Sequence, residues 1–208
     1  RMWRFSGVRR NRVKKAGLII VLLSLLGVSV VANEPVDWVN PFIGTGGHGH
    51  TFPGATRPFG MVQASPDTRV LGWDACSGYH YSDDFIYGFS HTHLSGTGIP
   101  DYCDILLMPQ VGKPVIETPR PEEGFSGYGS HFSHEKEVAK PGFYAVSLLD
   151  SGIDVELTTT GRVALHRYCF EQDVLEKSFI VDLTHRDTVI ESHIESVSSS
   201  EIVGYRRS

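Results

Sequence analysis

The clearest alternation of apolar and polar positions lies between residues 142 and 170. From 153 to 158 every second side chain is apolar and those between them are polar. A period of two is typical of an antiparallel strand with one buried face. Short turns at 150–152 and at Gly161 divide the segment into three strand-like runs. The pattern therefore predicts three neighbouring strands connected as a meander.

Shorter apolar runs occur elsewhere, separated by loops rich in glycine, proline and aspartate. Residues 59–68 and 103–114 each contain a strand-like run that ends at a proline-marked turn. The stretches "SFIVDLTH" and "EIVGYRRS", and the polar-apolar alternation of 187–200, predict further strands. Between 33 and 141 there is little helical periodicity. We therefore predict a mostly β fold, an antiparallel two-sheet β-sandwich.

The first 32 residues follow a different pattern. Residues 1–15 carry seven basic side chains and no acidic one, and 16–31 are all apolar or small. A basic start, an apolar run and a small-residue end are the order of a secretory signal. We predict a signal peptide over 1–32, cleaved after Ala32, and a secreted or periplasmic protein. The alternative is an uncleaved anchor, since the apolar run is just shorter than the roughly 20 residues that span a bilayer.

Charge and cysteine content narrow the function classes. Without residues 1–32 the chain has 12 basic against 24 acidic residues. This excess of negative charge argues against nucleic acid and anionic lipid as partners. Three cysteines allow at most one disulfide, so the fold must depend on a core, for which residues 33–208 suffice as one domain. Because the last strand-like run ends almost at Ser208, we interpret the sequence as part of a longer protein.

Two segments combine glycine with paired histidines. Residues 44–54 contain His48 and His50, and residues 91–98 contain His91 and His93. A phosphate-binding loop is excluded, because no helix with Lys and Ser or Thr follows. A His-x-His pair can place two imidazoles on one face and suits zinc, so a zinc hydrolase using these four histidines is one hypothesis. The favoured interpretation is that these histidines form hydrogen bonds in a polar pocket or in a satisfied core.

The stretch "WDACSGYHYSDD", residues 73–84, suits a sugar. An indole can cover the apolar C–H face of a neutral sugar, while carboxylates and imidazoles bind its hydroxyls. Trp73 with Asp74 and His80 supplies both kinds of group. Asp83 and Asp84 do not suit a hydrolytic pair, because adjacent residues on a strand point in opposite directions. One of them is expected to make structural hydrogen bonds, and most of the other aromatics are expected in the core.

Several long stretches together resemble glycoside hydrolase family 92, the calcium-dependent exo-acting α-mannosidases. They are "VNPFIGTGGHGHTFPGATRPFGMVQASPDT", "CSGYHYSD", "GFSHTHLSGTG", "DILLMPQVG", "DVELTTTGRVALHRYCF" and "GYRRS". The resemblance implies a two-domain enzyme in which an N-terminal β-sandwich packs against a larger (α/α) toroid. Residues 33–208 are similar to the sandwich, and an incomplete one. Cys103 departs from the pattern, because a small residue such as glycine is expected there.

The resemblance also implies how the work is divided between the domains. The catalytic acid and bases and most calcium ligands belong to the toroid, so no residue here is assigned a catalytic or metal-binding role, and the fragment alone is expected to be inactive. The sandwich would supply pocket loops at 44–50, 73–80 and 91–98. The candidate substrate-binding residues are Gly46, His48, Trp73, Asp74, Cys76, His80 and His93.

The function implied for the complete protein is hydrolysis of terminal α-mannosides in high-mannose N-glycans. The reaction is expected to be exo-acting, α-1,2-directed, inverting and calcium-dependent. The expected partners are the mannoside substrate and the C-terminal (α/α) domain of the same chain. The alternative from a different class is a non-catalytic carbohydrate-binding module, which an attached domain with catalytic Glu and Asp residues would exclude.

Overall fold

Antiparallel strands build almost all of the regular structure in the computed structural model, which describes residues 34–208. The predicted signal peptide lies outside the described residues. Pro35–Trp38 forms a short 3-10 helix, and the sandwich begins after it. None of the helices within 34–208 has the length and apolar character needed to span a bilayer.

Thirteen strands follow one another between residues 34 and 208. They are β1 (Ala55–Thr56), β2 (Gln63–Asp67), β3 (Phe85–Ile86), β4 (Gly88–Ser90), β5 (Leu106–Val111), β6 (Ser130–His131), β7 (Glu137–Lys140), β8 (Phe143–Leu148), β9 (Ile153–Thr159), β10 (Ala164–Cys169), β11 (Lys177–Asp182), β12 (Glu191–Ser198) and β13 (Glu201–Arg207). Short 3-10 helices at Trp73–Ala75, Pro121–Glu123 and His134–Lys136 lie in the connections.

Two sheets form the sandwich. The first has five strands in the order β1-β2-β4-β5-β11, and the second has four in the order β10-β9-β8-β7. All neighbouring strands are antiparallel, and β1 and β2 lie against β8 and β9 of the other sheet. The predicted antiparallel two-sheet sandwich is therefore confirmed.

The second sheet is the predicted meander. Strands β8, β9 and β10 follow one another with the turns where the sequence placed them, and Val146 pairs with Val155. Along β9, Ile153, Val155 and Leu157 are fully buried while the residues between them are exposed or half-buried. The inward side chains pack against Phe89, Met108 and other core residues of the first sheet. The alternating apolar residues of the sequence thus form one face of the core.

A buried carboxylate ties this core to the loops. Glu137, at the start of β7, accepts hydrogen bonds from the hydroxyls of Tyr79 and Tyr144 at 3.1 and 2.6 Å and contacts His134 Nδ1 at 2.6 Å. Burial, with the Glu137 charge, raises the pKa of both phenols, which therefore remain donors. Three partners satisfy a charge that would otherwise be costly to bury.

Two imidazoles join the sheets at another point. His91, directly after β4, lies 3.0 Å from His166 of β10 between their Nε2 atoms, and His166 Nδ1 lies 2.9 Å from the Tyr168 hydroxyl. Burial lowers the pKa of His91, and burial together with repulsion from a protonated His91 lowers the pKa of His166 to about 3. The pair is therefore neutral at neutral pH, with one nitrogen donating to the other.

Strands β12 and β13 form a separate hairpin. Every residue of β12 is exposed, and in β13 only Arg206 is partly buried. The strands predicted from 187–200 and "EIVGYRRS" are confirmed. Their apolar side chains, such as Ile194, Ile202 and Tyr205, nevertheless remain about half exposed.

Candidate functional site

Three loops that are distant in sequence converge on one region, here called the three-loop site: residues 44–50, 73–80 and 91–98. The Gly96 amide donates to the His50 carbonyl at 2.7 Å, and His80 Nε2 lies 3.1 Å from the Gly47 carbonyl. The Tyr81 amide, just beyond the second loop, donates to the Thr45 carbonyl at 2.9 Å. The structure thus brings together the loops that the sequence singled out.

The Trp73 indole is the largest exposed feature of this site. It is 61% exposed, although the imidazole of His50 meets it edge-on with 5.1 Å between ring centres. Its far edge lies against Gly98, where a Cβ atom would be only 2.1 Å from the ring. The indole is therefore held from two sides while its remaining surface faces solvent, as a sugar-stacking residue requires.

Asp74 is the polar centre of the site. One oxygen, Oδ1, lies 2.7 Å from His48 Nδ1 and 3.1 Å from His50 Nε2. The hydrogen bond from His48 outweighs the opposing effect of burial and, with that from His50, lowers the pKa of Asp74. Between the histidines, a side chain at Gly49 would collide with the Gly44 carbonyl at 2.0 Å, so glycine allows this tight loop.

Cys76 and His93 lie behind this surface rather than on it. Both are buried, which differs from the expectation that they contact substrate directly. The Cys76 thiol donates to the Trp73 carbonyl at 2.7 Å, and burial raises its pKa, so it stays protonated. His93 Nε2 lies 2.8 Å from Asp67 Oδ1, and its Nδ1 lies 2.9 Å from the Gln63 carbonyl. Their contacts are those of residues that position loops.

The remaining predicted residues lie at the rim. Gly46 is exposed, and His80 is half-buried with Nδ1 2.8 Å from the Ser82 hydroxyl and Nε2 on the first loop. His80 therefore connects two of the loops.

Asp83 accepts hydrogen bonds from Thr68 and Arg69, which confirms the structural role expected for one of the two adjacent aspartates.

A buried aspartate anchors the loops from below. Asp67, at the end of β2, has His93 on Oδ1 at 2.8 Å and His185 Nε2 near Oδ2 at 3.0 Å. Burial alone would raise its pKa, but the charge and hydrogen bond of His93, together with the nearby His185 imidazole, outweigh burial and hold the pKa well below its ordinary value. Sequence reasoning assigned no role to Asp67 or His185, because neither lies in a distinctive motif.

Arg186 is a third residue to which the sequence assigned no role. It is buried, and its guanidinium donates to the Ala75 carbonyl at 2.6 Å and to the Arg69 carbonyl at 3.2 Å. Arg206 of β13 in turn binds the Arg186 carbonyl and Asp104. The loop that carries Trp73 is thus held by a chain of contacts from the hairpin.

The unexpected cysteine has a conformational explanation. Tyr102, Cys103 and Ile105 have φ angles of 67°, 60° and 56°, in the left-handed region that favours glycine. The Cys103 side chain is buried beside Arg186 and below Gly78, where a Cβ would lie 2.7 Å from its sulfur. The backbone at Cys103 thus has the left-handed conformation that favours glycine, the kind of small residue that the family pattern leads us to expect there.

The zinc hypothesis with four histidines is wrong. His91 contacts His166, His93 contacts Asp67, and only His48 and His50 share a partner. Calcium prefers six to eight oxygen ligands. Two clusters of possible metal ligands occur within residues 34–208. One is formed by His48, His50 and Asp74, and the other by Asp67, His93 and Cys103. Neither cluster offers so many oxygen ligands.

Comparisons with known proteins identify the family of this domain. Residues 38–208 match the glycosyl hydrolase family 92 N-terminal domain. A family 92 α-mannosidase from Bacteroides thetaiotaomicron, solved in complex with mannoimidazole, is 41% identical with a TM-score of 0.78, over 82% of this chain and 23% of that one. An inverting family 92 mannosidase from the same species is 31% identical with a TM-score of 0.57, over 73% and 20% of the two chains.

A protein from the fungus Arthroderma benhamiae named an uncharacterized secreted glycosidase is 32% identical, over 79% of this chain and 22% of that one. The chain thus spans less than a quarter of the length of these relatives. It belongs to glycoside hydrolase family 92 and contains that family's N-terminal domain.

Proposed function

We propose that the complete protein is a secreted or periplasmic α-mannosidase that removes terminal mannose from high-mannose N-glycans, and that this domain supplies one wall of its pocket. The observation that carries the proposal is the exposed Trp73 indole, fixed beside Asp74 where three loops meet. The support from relatives is the 41% identity to an α-mannosidase that binds mannoimidazole.

The wall would bind the sugar by two kinds of contact. The indole of Trp73 would cover the apolar C–H face of a mannose ring, and Asp74 would accept hydrogen bonds from its hydroxyls. Because the pKa of Asp74 is lowered, this carboxylate is ionised at neutral pH. It therefore suits binding rather than protonating a leaving group, which requires a carboxylic acid whose pKa is raised.

The finer features of the reaction form part of the same proposal. We expect α-1,2 linkages to be cleaved in an exo-acting, inverting reaction, and the support for inversion is the relative named an inverting mannosidase. We place the catalytic acid and base, and the calcium ion, in a C-terminal (α/α) domain of the same protein. A bound calcium ion would supply electrostatic stabilisation of the transition state.

The test uses full-length protein and an α-1,2-linked mannobiose. Mannose should be released as the β-anomer, detected by NMR, and release should stop in chelator and recover with calcium. Absence of mannose release by folded full-length protein would contradict the proposal. Retention of configuration would contradict only the inverting part.

Trp73→Ala tests the role of this domain. Loss of a stacking surface of about 2 kcal/mol should lower kcat/KM roughly 30-fold. The melting temperature should change little, since the indole is 61% exposed. The matched control is Trp38→Ala, which removes another exposed indole outside the three-loop site and should leave activity unchanged. Equal losses of activity and stability in the Trp73 variant would argue against a substrate-binding role.

A further inference from the structure

We propose that His48, His50 and Asp74 form a binding site for a divalent transition ion of the zinc type. Such a site goes beyond the proposed function, shares Asp74 with the proposed sugar-binding wall, and differs from the calcium site expected elsewhere in the protein. Three observations carry it: the spacing of the donor atoms, their chemistry and their access to solvent.

The donor atoms are already close enough for one ion. His48 Nδ1, His50 Nε2 and an Asp74 carboxylate oxygen all lie within 4.8 Å of one another. Zinc binds imidazole nitrogen and carboxylate oxygen at about 2.0–2.2 Å, which spaces the ligands of a tetrahedral site about 3.4 Å apart. The two nitrogens lie 2.7 and 3.1 Å from Oδ1 of Asp74. A small outward rotation of the carboxylate would therefore admit an ion in place of the shared protons.

The chemistry of this donor set selects the class of ion. Two imidazoles and one carboxylate are the protein ligands of many zinc sites that keep a position open for water. Calcium requires more oxygen ligands than this cluster provides.

One side of the cluster is open and the other is fixed. Within residues 34–208 the His48 side chain is 79% exposed, so an ion can reach the donor atoms from that side. His50 is buried, packed edge-on against Trp73, and its carbonyl is bound by the Gly96 amide. The site thus combines one exposed and one buried imidazole.

The other donor cluster does not share these properties. Asp67, His93 and Cys103 are all buried. Both ring nitrogens of His93 have protein partners. The guanidinium of Arg186 lies 3.9 Å from the Cys103 sulfur, which disfavours a second cation.

The experiment titrates metal-free full-length protein with Co²⁺ and follows the visible d–d absorption of the bound ion, with Zn²⁺ as competitor. We expect one cobalt ion per chain at the proposed site, displaced by zinc and not by a similar concentration of calcium. His48→Gln and Asp74→Asn should each weaken binding at least about tenfold.

The matched control is His131→Gln, which removes a different exposed histidine with an aspartate partner, Asp150, at 2.9 Å but no second histidine. It should bind cobalt as the unaltered protein does. Because His48 is exposed, its variant should keep the native circular dichroism spectrum and decides the question even if Asp74→Asn does not fold. Absence of the cobalt spectrum, equal displacement by calcium, or unchanged binding in His48→Gln would overturn the proposal.

Discussion

Mild acid should weaken this fold through the imidazole pair that joins its two sheets. Burial and repulsion from a protonated His91 lower the pKa of His166 from 6.5 to about 3. In the unfolded chain the same side chain takes up a proton near pH 6.5. Between pH 6.5 and 3 the unfolded state therefore binds more protons than the folded state, and stability falls as the pH falls.

The size of the effect follows from this window. Within it, each pH unit costs about 1.4 kcal/mol, so lowering the pH from 7 to 5 should cost about 2 kcal/mol through His166. His91, whose pKa is also lowered by burial, contributes in the same direction. The lowered pKa of Asp67 affects stability in a different pH range, because the stabilisation that it provides is lost only as the pH falls below about 4.

Denaturant unfolding at pH 7 and pH 5 measures this loss. His166→Gln removes the titrating imidazole, so it should reduce the loss between the two pH values by about 2 kcal/mol. The control is His193→Gln, which replaces a half-exposed histidine of the hairpin. If His166→Gln lost as much stability as the unaltered chain over this range, the assignment of the acid sensitivity to this pair would be refuted.

Two further substitutions test the core and the site. Glu137→Gln should destabilise the chain by about 3 kcal/mol, because it weakens three hydrogen bonds to a buried charge, whereas the exposed Glu135→Gln should change the unfolding free energy by less than about 0.5 kcal/mol. Similar unfolding midpoints for the two variants would contradict this. Gly98→Ala should push the Trp73 ring aside and lower mannose release by at most the roughly 30-fold expected for Trp73→Ala, with little loss of stability. Gly161→Ala, where an added methyl group meets nothing within 4 Å, is its control, and equal activity of the two glycine variants would show that indole position does not matter.

The sequence predicted the fold where local pattern decides it. Strand β9 follows from its alternation, and the meander follows from the two short turns around it. The three-loop site was also predictable, because its glycines, histidines and Trp73 lie in distinctive stretches. The sequence pattern could not predict which of these side chains face solvent.

The burial of Cys76 and His93 depends on partners that no local pattern identifies. His93 is turned inward by Asp67, a residue 26 positions earlier. The Trp73 loop depends on Arg186, which lies 111 positions after the carbonyl it binds. The hypothesis of a zinc site formed by four histidines failed for the same reason. The two His-x-His pairs have the same spacing, but their side chains contact different residues.

The contacts of Arg186 and Arg206 have a consequence for the order of folding. The loop carrying Trp73 is synthesised early, yet the guanidinium that fixes its backbone comes from residue 186, which is in turn held by residue 206. Contacts so far apart in sequence close late, because loop entropy must be overcome first. On the ribosome the Trp73 loop should therefore reach its final conformation only after the hairpin has emerged.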